Sequence, residues 1–163
     1  MKNKAVFLDR DGTLNVDWGY VYKVEDLVLM PGVLKALQLF QKAGFLLIVV
    51  TNQSGVSRGY FTERDVISFN DNLKKKLALH NILIADFFVC IHGALDKCTC
   101  RKPSPLLINE AILKYDIDPI QSFMFGDKES DVLCGKNAHV ESYRVTREHP
   151  LLYWARLLTN KKL

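Results

Sequence analysis

Apolar positions along this chain fall into short continuous runs that alternate with stretches of helical period. Residues 5–8 (Ala-Val-Phe-Leu) stop abruptly at Asp9, and Gly12 then turns the chain away, the pattern of a buried strand. Residues 45–50 form a second continuous apolar run, expected to be buried on both faces of a parallel sheet. Shorter strands are expected over 87–89, 122–125 and 141–145. Between the strands, Val33, Leu34, Leu37, Phe40 and Ala43 recur at helical spacing, opened by Pro31-Gly32 and closed by Gly44. Thr62 is placed to cap a helix running through Val66, Phe69, Leu73 and Leu77 to His80. Helices are also expected over Leu106–Tyr115, after Pro103 and Pro105, and over 132–138 and 150–158. Strands alternating with helices predict an α/β fold, a parallel sheet with helices on both faces.

Composition narrows the picture. A chain of 163 residues that is 48% hydrophobic suits a single domain, here 1–163, with a full core. The net charge of +4 is modest, and the basic runs Lys74-Lys75-Lys76 and Lys161-Lys162 read as a solvated helix face and a tail. No aromatic residues interleave with them, so no nucleic-acid partner is expected. No apolar run approaches a membrane span, and with the opening Met1-Lys2-Asn3-Lys4 no secretory leader is expected. The expected location is the cytoplasm, with no membrane partner.

Candidate chemistry gathers at the ends of the strands. Asp9 and Asp11 share one face at the end of the first strand, an arrangement that calls for a cation between them or a proton on one. Magnesium suits such a pair, while a polar turn after an edge strand remains the alternative. Asp17-Trp18-Gly19-Tyr20 lies in a loop over 16–29 that would cover these carboxylates, although Trp18 and Tyr20 could equally pack onto the domain. Thr51-Asn52-Gln53-Ser54-Gly55 offers a hydroxyl, two amides and a glycine turn to an anion, or is simply a strand-to-helix loop. The fourth strand ends in Gly126-Asp127-Lys128-Glu129-Ser130-Asp131. Cys90, His92, Cys98 and Cys100 follow Cys-x-His-x5-Cys-x-Cys, a complete structural zinc set against the alternative of unliganded cysteines. Cys134 reads as a small core residue, and His80, His139 and His149 as solvated or helix-end histidines. Leu151, Leu152, Trp154 and Leu158 of the tail are expected to cover the sheet edge within a monomer, with self-association as the alternative.

Taken together, the four strand ends carrying Asp9/Asp11, Thr51, Arg101-Lys102 and Asp127/Asp131 resemble the haloacid dehalogenase superfamily of phosphatases. Asp9-x-Asp11-Gly12-Thr13, Thr51, Lys102 and Gly126-Asp127-x3-Asp131 match its four motifs in order. Phe-Leu-Asp-Arg-Asp-Gly-Thr, Thr-Asn-Gln, the cysteine loop and Cys-Arg-Lys-Pro are similar to its compact histidinol-phosphatase and heptose-bisphosphate-phosphatase group. The resemblance implies a Rossmann-like sheet without a large cap domain and a structural Zn²⁺ loop. It implies Asp9 as nucleophile, Asp11 as general acid and base, and Thr51 and Lys102 on the phosphoryl oxygens. Mg²⁺ would be held by Asp9, the Asp11 carbonyl and Asp127, with Asp131 supporting the metal site or orienting Lys102. Asp17, Trp18, Gly19, Tyr20, Asn52, Gln53, Ser54, Arg101 and Lys128 would contact a small phosphorylated sugar, with Arg58 ranked below Arg101. The substrate so implied is D-glycero-D-manno-heptose 1,7-bisphosphate, losing its C7 phosphate. Histidinol phosphate is the alternative, and an inactive zinc-stabilised binding module the remote one. The short segment between His92 and Cys98 is more like the histidinol-phosphatase branch, and Ile91 replaces a proline common to both branches.

Overall fold

The structure, a computed structural model, describes residues 1–160, so the Lys161-Lys162 pair lies outside the described residues. Five strands, β1 (Lys4–Leu8), β2 (Phe45–Asn52), β3 (Ile84–Cys90), β4 (Phe123–Gly126) and β5 (Glu141–Arg144), form one sheet in the order β3-β2-β1-β4-β5. Every pairing is parallel. The helices are α1 (Val33–Lys42), α2 (Glu63–Ala78), α3 (Leu106–Tyr115), α4 (Glu129–Asn137) and α5 (Leu151–Thr159).

Alternation along β1 sorts the core into two layers. Val6 and Leu8 pack with Leu37 and Phe40 of α1, Phe69 and Leu73 of α2, and Leu151 and Ala155 of α5. Ala5 and Phe7 face the other way, onto Leu107, Ile108 and Ala111 of α3 and Cys134 of α4. Cys134 is thus a buried core residue, its thiol donating to the Ser104 carbonyl at 3.1 Å. α5 lies against α1, and Trp154 packs at a tilt on Tyr143 of the edge strand β5 with ring centroids 4.4 Å apart. The tail helix therefore covers its own sheet.

Most element bounds differ from the sequence reading by one or two residues, and the larger shifts at the starts of β3 and α4 have local reasons. β3 begins three residues before the expected 87–89, because Asp86 interrupts the apolar run yet is satisfied by Lys114 at 2.8 Å and Tyr115 at 3.0 Å. α4 begins at Glu129 rather than 132: the Asp131 carboxylate accepts from the Lys128 backbone N–H at 3.0 Å, closing the first turn. α2 ends at Ala78, two residues short of His80, while its start is as expected, with a capping box between Thr62 and Asp65.

The sheet order places the functional strand ends together. The chain runs outward from β1 through β2 to β3, then returns to the other side of β1 for β4 and β5. Ligand crevices of open parallel sheets form at such a reversal, outside the carboxyl ends of the strands. Leu8 is in register with both Val49 and Phe125, so Asp9, Thr51 and Asp127 emerge side by side.

Candidate active site

Asp9 follows the last residue of β1 and is 5% exposed. Its Oδ1 accepts from Lys102 Nζ at 2.6 Å, and Lys102 also donates to the Val50 carbonyl at 2.8 Å and pairs with Asp131 Oδ1 at 2.7 Å. Asp131 thus contacts Lys102 and also belongs to the carboxylate cluster described below, in keeping with both roles open to it. Burial raises the Asp9 carboxyl to about 7, opposed by Lys102 and reinforced by Asp131 and Asp11. Burial also raises Asp127. The two carboxylates hold Lys102 above its ordinary value despite its own burial.

The oxygens of Asp9, Asp127 and Asp131 lie within 4.8 Å of one another. Asp127 Oδ1 is buried and has no hydrogen-bond partner among the described residues. Counting Asp11, four carboxylates face the two cations Lys102 and Arg10, an excess that one divalent cation cancels. The all-oxygen donor set and the orphaned Asp127 oxygen fit a hard cation such as Mg²⁺. Gly12 makes this approach possible. Its φ is +83°, and a Cβ there would sit 2.5 Å from Asp127 Oδ2.

Asp11 is held by a network that the motif does not announce. Arg10 Nε and Nη2 each donate to its carboxylate at 2.9 Å, Asn15 Nδ2 at 2.9 Å and Gln53 Nε2 at 2.8 Å. Arg10 is fully buried, donates to Asn70 Oδ1 at 3.0 Å and lies 4.3 Å above the Phe69 ring. Sequence reasoning gave no role to Arg10, Asn15 or Asn70, although Arg10 and Asn15 stand within or beside its motif runs. The partners of Arg10 on α2 lie about 60 positions away, so only a buried hydrophobic face at Phe69 beside a polar Asn70 hints at them.

A cleft of about 340 Å³ opens over these groups, lined by Asp9, Asp11, Thr51, Lys102 and Asp131 at its floor. Its walls bring in Asp17, Gly19, Tyr20, Asn52, Gln53, Ser54, Arg58, Arg101 and Lys128, together with Gly55 of the run read as offering itself to an anion, and Ser130, to which sequence reasoning gave no role. Trp18 is outside this lining and 65% exposed. Tyr20 sits edge-on to Tyr60 at 4.8 Å, and Lys128 Nζ is 3.8 Å from Asp17. Gln53 donates from the same Nε2 to Thr51 Oγ1 at 2.9 Å. Asn52 accepts from the Lys102 N–H at 3.1 Å and donates to its carbonyl at 3.3 Å, clamping the Lys102 segment to the end of β2.

The cysteine loop borders the same cleft. Cys90 closes β3, and the ligand atoms of Cys90, His92, Cys98 and Cys100 all lie within 4.8 Å of one another. Cys90 Sγ is 3.9 Å from Cys98 Sγ and 3.6 Å from His92 Nδ1, and Cys100 Sγ is 3.3 Å from His92 Nδ1. Bonds of ~2.3 Å to sulfur and ~2.0 Å to nitrogen in a tetrahedron give edges of about this length, so the cluster fits a zinc-type metal. Arg101 follows Cys100 directly, and its Nη1 donates to the His92 carbonyl at 3.1 Å.

Comparison with known proteins agrees with this geometry. The family model described as haloacid dehalogenase-like hydrolase matches residues 17–145. The chain is 41% identical over 145 residues to a D-glycero-beta-D-manno-heptose-1,7-bisphosphate 7-phosphatase of Pasteurella multocida, covering 85% of this chain and 79% of that protein. It is 38% identical over 148 residues to the alpha-anomer counterpart of Campylobacter jejuni, covering 91% of this chain and 85% of that one. Among solved structures, the D,D-heptose 1,7-bisphosphate phosphatase of B. bronchiseptica, complexed with magnesium and phosphate, superposes with a TM-score of 0.88 at 27% identity, over 98% of this chain and 99% of that one. With a family match over most of its length and its four motifs converging on one crevice, this chain belongs to the haloacid dehalogenase-like hydrolases.

Proposed function

We propose that this hydrolase is a magnesium-dependent phosphomonoesterase that removes the C7 phosphate of D-glycero-D-manno-heptose 1,7-bisphosphate. The observation that carries the reading is the buried Asp9, joined to Lys102 at 2.6 Å and flanked by the orphaned oxygen of Asp127 at the sheet's reversal. Asp9 attacks phosphorus, the bond to the C7 oxygen breaks, and Asp11 supplies the proton that the leaving alcohol takes up. Water then attacks the aspartyl-phosphate, its proton passes to Asp11, and Asp9 is regenerated with release of inorganic phosphate. Thr51 and Lys102 hold the non-bridging oxygens, the positioning work that dominates phosphoryl transfer. Asp9, the Asp11 carbonyl and Asp127 would hold Mg²⁺, which when bound offsets the charge of a phosphate placed beside a carboxylate.

For the substrate, the cleft walls carry three cationic side chains, Arg58, Arg101 and Lys128, well above what one phosphate at Asp9 needs. A second phosphate at C1 gives Arg101 a bidentate partner. Asp17, Gly19, Tyr20 and Ser54 line the space between, suited to sugar hydroxyls, and Trp18, between Asp17 and Gly19 in the chain, would reach the sugar from the exposed face of the loop. Asn52 and Gln53 act through neighbours, Asn52 on the Lys102 backbone and Gln53 on Asp11. The relatives of both anomeric series named above support the heptose bisphosphate as substrate and leave both anomers for assay. Zn²⁺ at Cys90, His92, Cys98 and Cys100 would fix the loop that carries Arg101. The chain is read as one phosphatase domain, a monomer working in the cytoplasm, where its four cysteines, none of them in a disulfide, stay reduced. Among the described residues no helix is long and apolar enough to cross a membrane.

The deciding experiment is phosphate release with magnesium from both anomers of the heptose bisphosphate and from L-histidinol phosphate in parallel. A large kcat/KM preference for a heptose, with one phosphate released, is the expected result. A preference for histidinol phosphate would overturn the substrate, and no release from any of the three would overturn the activity.

A further inference from the structure

We propose that Arg10 is a positioning residue for this reaction: from outside the cleft it sets the place of the Asp11 carboxylate and ties it to the loop that covers the substrate. The inference rests on the phosphatase reading above and deepens it. Arg10 is surrounded on every side. It is fully buried, with its guanidinium carbon 4.3 Å from the centre of the Phe69 ring. Four of its five N–H groups have partners: Nε and Nη2 on the two oxygens of Asp11, Nη2 also on the Val21 carbonyl at 2.7 Å, and Nη1 on Asn70 Oδ1 at 3.0 Å. A planar fork with two parallel N–H bonds fixes both the position and the tilt of a carboxylate, which a lysine ammonium does not.

Arg10 is absent from the cleft lining, so it cannot touch substrate, whereas Asp11 lines the cleft. Its partners belong to three separate elements. Asp11 is the proposed acid, Val21 lies four residues after Asp17 in the covering loop, and the buried Asn70 sits on α2. A shift of the covering loop is therefore felt at Asp11 through one rigid group. Asn15 and Gln53 complete the set of four donors on the ionised Asp11 carboxylate, two on each oxygen, so its orientation is fully determined until one amide yields its place to the proton that Asp11 takes up.

A positioning role through Asp11 separates the two halves of the reaction. Asp9 and Lys102, which attack and hold the phosphoryl group, are not bonded to Arg10. p-Nitrophenolate leaves without a proton, so its release reports attack by Asp9 alone, whereas hydrolysis of the aspartyl-phosphate needs Asp11 as base. The test uses Arg10→Lys on p-nitrophenyl phosphate, with rapid-mixing and steady-state measurements, and on the heptose bisphosphate at steady state. The expected result is a burst of p-nitrophenolate at close to the wild-type rate, followed by turnover slower by about 10- to 100-fold, less than the ~10²–10⁴-fold that a general acid–base group supplies because Asp11 is misplaced and not removed. On the bisphosphate, kcat falls by a similar factor with KM within about twofold.

Burst and turnover falling together would overturn the proposal, since a merely structural arginine slows both. So would a folded Arg10→Lys with unchanged kcat. Should Arg10→Lys not fold, Asn70→Ala carries the test, because it removes the outer anchor of the guanidinium and leaves Asp11 and the cleft intact. It is expected to give the same pattern, a preserved burst with slower turnover, and an unchanged kcat there would overturn the proposal. Failure of the phosphatase reading would show differently, as absence of phosphate release by the wild-type protein.

Discussion

Replacing Gly12 by alanine tests whether the carboxylates at the sheet's reversal form one metal-binding unit. Two effects can be worked out separately. Gly12 has φ +83°, a conformation that costs an L-residue about 1–2 kcal/mol. At this chain length that corresponds to a fall in Tm of about 2–8 °C. The new Cβ would also stand 2.5 Å from Asp127 Oδ2 and 2.7 Å from its Cγ, where ordinary contact begins at 3.4 Å, so Asp127 must retreat by nearly 1 Å. Misplacement on that scale costs about 10²-fold in rate when the displaced group is part of the catalytic set. Gly44→Ala is the control, because Gly44 has φ +85° but its Cβ would meet only Lys4 Cε at 3.7 Å. Both variants are expected to melt a few degrees early. Only Gly12→Ala should lose kcat by about 10²-fold and need at least tenfold more magnesium for half-maximal phosphate release. The assay is a magnesium titration of phosphate release alongside thermal melting. A Gly12→Ala protein with the same magnesium dependence and turnover as Gly44→Ala would refute the placing of Asp127 beside the metal.

Three further predictions follow from other parts of the structure. Asp9→Asn keeps the fold, since the amide oxygen still accepts from Lys102, but abolishes turnover; phosphate release at most of the wild-type rate would show that Asp9 is not the nucleophile. Cys98→Ser is expected to lose zinc by metal analysis and to raise KM for the bisphosphate more than it lowers kcat, because the loop also seats Arg101. Reduced wild-type protein free of zinc would rule out the metal loop. Hydrogen bonds from the Thr62 backbone N–H and hydroxyl hold the Asp65 carboxyl below its usual value, so its contribution to α2 is present above the ordinary aspartate range and is lost as pH falls through its lowered pKa. Wild type and Asp65→Asn should accordingly differ in Tm at neutral pH and converge in acid, and parallel curves would contradict the capping role.

What could be read from the chain alone follows from where the physical signal was local. The strands β1 and β2 are apolar on both faces and break at polar residues, so their place in a parallel sheet, and the carboxylates at the end of β1, were legible before any coordinates. Cys90, His92, Cys98 and Cys100 were legible for a similar reason: four metal-type ligands within eleven positions need no tertiary information to be brought together. Asp131 was placed in the last motif, with orienting Lys102 as one of its two implied roles, but its capping of α4 was not foreseen. It closes the first turn of α4 and pairs with Lys102 at 2.7 Å, and the second partner is 29 positions away. Arg10 was the least legible residue. A charged side chain between two aspartates reads as solvated, and its burial depends on Phe69 and Asn70, which a sequence pattern places only on the inner face of a distant helix. Trp18 is the reverse case, an aromatic residue expected at the substrate that stands 65% exposed outside the cleft lining.

The central claim is that phosphate passes through Asp9, and it can be tested by catching the phosphoryl group in transit. The wild-type protein is mixed with magnesium and the heptose bisphosphate, quenched in acid within one turnover, digested and analysed by mass spectrometry. The account predicts a hydroxylamine-labile phosphoryl group on the peptide that carries Asp9, absent from Asp9→Asn. A phosphoryl group on any other residue, or none while the enzyme is turning over in its pre-steady state, would contradict it.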